Sequence, residues 1–146
     1  MNNTPSTPDS AAPWARIVAD VADALIYIDT QGTIGAWNAA AEALFGFSAA
    51  EALGRNIDLI IPEHLRAAHW RGFDAAMARG ATRSSQVRTT RSLHKDGRKL
   101  YVDMSFAIVK GEDGQVLGSA AMARDATARY LAERARQAAS AAPPAG

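Results

Sequence analysis

The order of β-forming and helix-forming segments is the strongest constraint on how this chain folds. Leu25-Ile26-Tyr27-Ile28 and Thr33-Ile34-Gly35-Ala36-Trp37 are β-rich runs joined by Asp29-Thr30-Gln31-Gly32, which suits a tight hairpin connection. Three longer β-rich runs, at about 84–93, 99–109 and 115–124, are broken by Lys95-Asp96-Gly97 and Glu112-Asp113-Gly114. Between the two groups the chain reads as helix. Asn38 can cap a turn that runs to Phe45 and stops at Gly46, Ser48 with Glu51 makes a capping box, and Pro62 opens a longer helix ending near Gly80. Two strands, a helical cluster and three strands, with no βαβ alternation, predict an α+β fold: a five-stranded antiparallel sheet with helices packed on one face.

Helices flank this unit. Trp14, Ile17, Val18 and Val21 fall at helical spacing after Pro13, giving a short helix over 14–22. Tyr130, Leu131 and Arg134 belong to an alanine-rich helix that starts from a cap at Asp125 or Thr127 and ends near Ala139. It lacks a wide apolar stripe and reads as a connector that needs a partner. The expected organisation is a disordered leader (1–12), a folded domain with its N-terminal helix (13–126), the connector (127–139) and a disordered tail (140–146).

At 146 residues the chain is large enough for one core without metal or disulfide staples. Sixteen Lys and Arg balance fifteen Asp and Glu, and no basic stripe is interleaved with aromatics, so nucleic-acid binding is not expected. There is no cysteine, which removes disulfides, thiolate catalysis, Cys-ligated zinc, iron–sulfur centres and cysteine–flavin photochemistry. Neither a signal peptide nor a membrane span is legible, and a cytoplasmic location is expected. His64 and His69 are five residues apart and do not share a helix face, which argues against a zinc site. With no G-x-S-x-G elbow, phosphate loop or H-E-x-x-H, no catalytic residues are assigned and the domain is not expected to be an enzyme.

Trp37-Asn38-Ala39-Ala40-Ala41-Glu42-Ala43-Leu44-Phe45-Gly46-Phe47-Ser48, followed by Glu51, Gly54 and Pro62, resembles the core pattern of PAS domains. Lys95-Asp96-Gly97 and Ala123-Arg124-Asp125-Ala126-Thr127 resemble two further PAS motifs, the second departing from the usual aspartate, aliphatic, threonine exit by Ala126. The resemblance covers roughly residues 14–135. It implies a sensory module that holds a ligand between sheet and helices and biases the helix after Asp125.

At 100° per residue, Leu65, His69, Phe73 and Ala76 share one side of the helix after Pro62, with Arg71 and Asp74 away from it. The stretch Gly54 to His69 resembles the haem-binding PAS subgroup, the rhizobial oxygen-sensor kinases and the enteric direct oxygen sensor. In that subgroup the histidine at the place of His69 is the proximal iron ligand. The resemblance therefore implies haem b held through His69, a diatomic gas such as oxygen as the signal, and Arg88 as a distal hydrogen-bond donor. Gln86 falls where the enteric sensor has a displaceable methionine, so that ligand is missing.

By the period of two, Gln86, Arg88 and Thr90 share a strand face, and Leu100, Val102, Met104, Phe106 and Ile108 should face the helices. Ile57, Ile61, Leu65, Phe73, Met104, Phe106 and Met122 are the expected core and pocket wall, with Met104 also a candidate sixth ligand. Trp70-Arg71-Gly72 follows the histidine differently from the subgroup, and no basic residue matches its propionate contact, leaving Arg66 or Arg79 for that role. Three alternatives stay open: a buried His69 hydrogen-bonded to backbone, a ligand-free PAS interaction module, and a PAS sensor of flavin or a metabolite. Trp14, Ile17, Val18 and Val21 on one terminal helix, with Tyr130 and Leu131 on the other, predict a homodimer that signals to an unidentified output partner.

Overall fold

The computed structural model describes residues 12–82 and 86–141. In chain order the elements are α1 (Trp14–Asp20), β1 (Ala24–Asp29), β2 (Ile34–Trp37), α2 (Ala39–Phe45), α3 (Ala49–Ala52), a 3-10 turn (Ile57–Ile60), α4 (Glu63–Arg79), β3 (Arg88–Leu93), β4 (Lys99–Lys110), β5 (Val116–Asp125) and α5 (Thr127–Ala141). The strands form one antiparallel sheet in the order β2-β1-β5-β4-β3. The last strand thus lies between β1 and β4, joining the first hairpin to the three-stranded meander β3-β4-β5 and pairing Ala24 with Ala123 and Ile28 with Ser119.

One face of the sheet is the core face. Ala24, Ile26 and Ile28 of β1, Leu100, Val102 and Met104 of β4, and Ala121 and Ala123 of β5 are buried against Phe45, Ala52, Ile57, Ile60 and Phe73. The alternation expected of β4 holds there, because every second side chain of a strand points to one face. On the opposite face the Tyr101 ring stacks at 3.8 Å on Tyr130 of α5, and Arg129 of α5 bonds Asp103. Tyr130, grouped with the exposed residues in the sequence, is therefore held by its own domain, while Leu131 remains 51% exposed.

Local caps explain the helical cluster. Asn38 caps α2, and Gly46 ends it in the left-handed conformation at φ 83°, which glycine adopts without steric cost. The Ser48–Glu51 capping box is formed, and the Lys95 ammonium lies 2.6 Å from the Glu51 carboxylate. That hydrogen bond, with those from Ser48, holds the Glu51 carboxyl at a pKa of about 2. The turn carrying Lys95 is also bonded through its backbone to Phe45 O at 2.9 Å, so the meander is pinned to the end of α2.

Several boundaries differ from the sequence expectation, and α1 ends at Asp20 rather than at 22. The third strand begins at Arg88 rather than near 84, leaving Gln86 and Val87 outside it, while 83–85 lie outside the described residues. β-propensity supplies a tendency to extend but not a pairing partner, and the ladder with β4 starts at Arg88↔Met104. At the other end α5 runs to Ala141, two residues into the stretch expected as tail, as a run of alanines favours.

Asn38 uses its whole amide. Its Oδ1 accepts from Leu25 N (2.9 Å) and Ala41 N (3.0 Å), and its Nδ2 donates to Val18 O (2.9 Å) and Asp23 O (3.0 Å). Asn38→Ala removes a helix cap and strands four backbone groups, so it should cost about 2–4 kcal/mol in urea unfolding. A loss below roughly 0.5 kcal/mol would show that water replaces the side chain.

Candidate functional site

The site is set by how α4 is rolled against the sheet. Trp70 on α4 donates through Nε1 to Asp58 Oδ1 in the 3-10 turn at 2.9 Å. Its ring lies over Gly32 in the β1–β2 connection, where the backbone is left-handed at φ 81° and a Cβ would strike the indole. Gly32 is thus required both by conformation and by close approach. On the same helix Arg66 donates through Nε to Ile61 O (3.0 Å) and through Nη2 to Asp58 O (3.2 Å).

With the helix fixed this way, Phe73 is buried, Leu65, His69 and Ala76 are half-buried, and Arg71 and Asp74 are exposed, as the helical spacing requires. His64 is exposed on the flank. The His69 ring is nearly parallel to Phe73 (centroids 6.1 Å apart, 22°) and meets Trp70 edge-on at 4.9 Å. Its Nδ1 is buried and has no hydrogen-bond partner among the described residues. Burial pushes the His69 pKa below its ordinary 6.5, against an opposing pull from the Asp58 and Asp74 carboxylates. The imidazole is therefore neutral near pH 7. The expected alternative of a histidine satisfied by backbone is not what this nitrogen shows.

The other expected site residues divide into three groups. Ile57, Phe73 and Met104 are brought together in the buried core, with Ile61 packed against it. Met104 is thus a core side chain directly opposite Arg88 on the neighbouring strand. Arg88 and Phe106 lie on the helix-facing side of the sheet by register, yet Arg88 is exposed and Phe106 is 41% exposed. The helix-facing side is closed at Leu100, Val102 and Met104 and open toward these two residues.

Gln86 does not share the strand face expected for it, since it precedes β3 in an exposed bend. Met122 is a correction: it pairs with Ser105 on the face away from the helices and is 41% exposed. β5 alternates so that Ala121 and Ala123 face inward, and side-chain hydrophobicity does not override that period. Met122 instead lines a shallow outer groove with Asp23, Val87, Asp103 and Arg124.

The donor set fits a haem at its iron end. A neutral imidazole on an apolar helix face, with an unpaired buried nitrogen and an aromatic neighbour, is the ligand chemistry such a group uses. At the propionate end, Arg66 and Arg79 are both bonded to backbone carbonyls, Arg79 through Nη2 to Ala81 O at 3.1 Å. Arg88 is an exposed cation on the open side. Among the described residues no cluster of His, Asp or Glu suits a metal ion by itself.

Sequence reasoning missed the Asp58–Trp70–Gly32 contact that orients His69. The departure at Trp70 from the haem subgroup was its one signal, but the residues are 12 and 38 positions apart and nothing in their spacing pairs them.

A histidine whose pKa is lowered on folding is protonated more readily in the unfolded chain. Its contribution to stability is complete above pH 6.5 and is lost as pH falls from there toward the folded value. His69→Gln should therefore reduce the drop in unfolding free energy between pH 7.5 and 5.5, measured by urea titration at both values. An unchanged drop would assign it to other groups. The depressed carboxyls of Glu51, Asp96 and Asp103 act in a lower window and do not compete.

Residues 18–131 match the PAS fold family. A 53-residue stretch is 43% identical to the protein named Sensor protein FixL from Bradyrhizobium diazoefficiens, covering 36% of this chain and 10% of that protein. The match thus spans about a tenth of the length of that curated relative. The PAS domain of a protein from Colwellia psychrerythraea superposes with a TM-score of 0.71 at 27% identity, over 80% of this chain and 96% of that one. An RNA-binding Light-Oxygen-Voltage receptor superposes at 0.72 and 24% identity, over 96% of this chain and 40% of that one, a likeness of fold alone. Among the described residues no helix is long and apolar enough to cross a membrane. Since the family match takes in the hairpin, the helical cluster, the meander and the start of α5, the chain belongs to the PAS fold family, as a sensory domain.

Proposed function

We propose that this PAS domain binds haem b through His69 and senses a diatomic gas such as oxygen. The observation that carries the proposal is His69 itself: a half-buried, neutral imidazole with an unpaired buried nitrogen, oriented by a neighbouring tryptophan. The partial likeness to a Bradyrhizobium sensor protein supports it. When bound, the haem supplies a reversible site for a gas. The protein supplies the rest. His69 offers a nitrogen lone pair without first losing a proton, Phe73 and the buried Ile57 exclude water, and Arg88 offers N–H donors to a ligand atom that carries negative charge. We assign the domain no catalysis of its own, and place it in the cytoplasm as a homodimer that signals to a partner protein and not to nucleic acid. Trp14, 66% exposed on α1, and Leu131 on α5 support the dimer.

Purified protein supplied with haemin should take up one equivalent and show a Soret band. His69→Ala should lose the band while keeping its far-ultraviolet circular dichroism, and His64→Ala should keep both. An unchanged band in His69→Ala would remove His69 as the ligand.

Arg88 generates a second test. One charge-assisted hydrogen bond contributes about 1.5–3 kcal/mol, so Arg88→Ala should weaken oxygen binding by roughly tenfold to a hundredfold. Carbon monoxide, which presents less negative charge to a donor, should be affected far less. Equal losses for both gases would mean a steric or folding defect, and no loss for oxygen would leave Arg88 on the solvent side.

A further inference from the structure

The strength of His69 as a ligand depends on what its second ring nitrogen meets. Nδ1 is buried and has no hydrogen-bond partner among the described residues. With a ligand on Nε2, the single proton of the neutral ring sits on Nδ1. An acceptor there would raise the basicity of the imidazole, and its absence leaves the ring a weaker donor. A carboxylate stands close enough to act on this ring: Asp58, in the 3-10 turn, pulls on its charge. Asp58 Oδ1 accepts instead from Trp70 Nε1 at 2.9 Å.

That arrangement is held from several sides. The Trp70 ring covers Gly32 and meets His69 and Phe73 edge-on, at 4.9 and 5.2 Å between centroids. The backbone of Asp58 is fixed as well, since its N donates to Asn56 Oδ1 (2.9 Å) and its O accepts from Arg66 Nη2 (3.2 Å). Asp74, the other carboxylate that acts on His69, is exposed on α4 away from the apolar side. The residue that follows the histidine in sequence therefore occupies the carboxylate that its neighbour lacks.

We propose that Trp70 is a positioning residue for the ligand at His69: by holding Asp58 it denies Nδ1–H an acceptor and keeps His69 a weak donor that favours ferrous over ferric iron. The proposal rests on haem ligation by His69, as proposed above. It fits a gas sensor, because oxygen and carbon monoxide bind the ferrous state and a stronger imidazole donor stabilises the ferric one. The withheld carboxylate itself is a property of the haem-free chain.

Trp70→Phe tests it, since it keeps a ring over Gly32 and removes the indole N–H. The freed Asp58 should then accept from His69. In the haem-free protein at pH 8, a hydrogen-bonded Nδ1–H signal should appear in nitrogen–proton correlation spectra. In the haem-loaded protein the iron–histidine stretching band, read by resonance Raman, should move to higher frequency. The ferric-to-ferrous ratio at a fixed potential should rise about tenfold, equal to a midpoint about 59 mV lower. Adding Asp58→Ala should abolish the new signal and return the band. Asp58→Asn alone, which keeps an oxygen for Trp70, should leave Nδ1 silent and the band in place.

No new signal in a Trp70→Phe variant that keeps its far-ultraviolet circular dichroism would overturn the proposal, as would a signal that survives Asp58→Ala. A shifted band in Asp58→Asn alone would show that the carboxylate already acts on His69, and overturns it even where Trp70→Phe does not fold. Absence of haem uptake would sink the haem reading, while the haem-free spectra still decide whether Trp70 withholds Asp58. Haem uptake with a new Nδ1–H signal and an unmoved band would sink the tuning alone.

Discussion

Four hydrogen bonds to one buried amide hold the first half of the domain together. Asn38 sits where α1, the entry to β1 and the start of α2 converge, and each needs a backbone partner there that no regular ladder supplies. A buried side chain with two acceptor sites on one atom and two donors on the other meets that demand completely. Substituents that only accept or only donate would leave two of the four groups unpaired. The position of α2 follows from this, and with it Phe45, the largest fully buried side chain of the core.

The second constraint is the seating of α4. Its moderate apolar face would allow several rolls, and the Trp70 indole selects one by fitting over a glycine and bonding Asp58. What results is a histidine facing inward beside a phenylalanine, with desolvation keeping it uncharged. Burying a polar nitrogen unpaired costs about 1–3 kcal/mol in general. His69 carries that cost on α4.

The sheet separates two environments. Its inner side carries the core and opens toward Arg88 and Phe106; its outer side carries the base of α5 and the Thr89–Asp103–Arg129 contact. Because side chains alternate along a strand, adjacent residues report to different faces at no cost in chain length. The edge strand β3 therefore presents Arg88 to the helix side and Thr89 to the base of α5. The Asp103 carboxyl, held below the usual carboxylate range by Arg129 and Thr89, stays charged throughout the physiological range and keeps that contact in place.

The fold was legible because it is written in local signals: turns at Asp29-Gly32, Asp96-Gly97 and Asp113-Gly114, caps at Asn38 and Ser48, a stop at Gly46, and strands with a period of two. The inward side of α4, His69 included, was legible for the same reason, since 100° per residue fixes which side chains share a face. What local signals lack is a partner. They could not show that β3 begins only where Met104 offers a pairing, that Met122 falls on the outer face, or that Arg66 and Arg79 are bound to carbonyls. The sequence by itself determined the elements and the inward faces of α4 and β4. Only the tertiary structure decided the roll of α4 through Gly32 and Asp58, the orphaned nitrogen of His69, and the bond from Arg129 to the edge strand, because each joins residues whose separation along the chain carries no period.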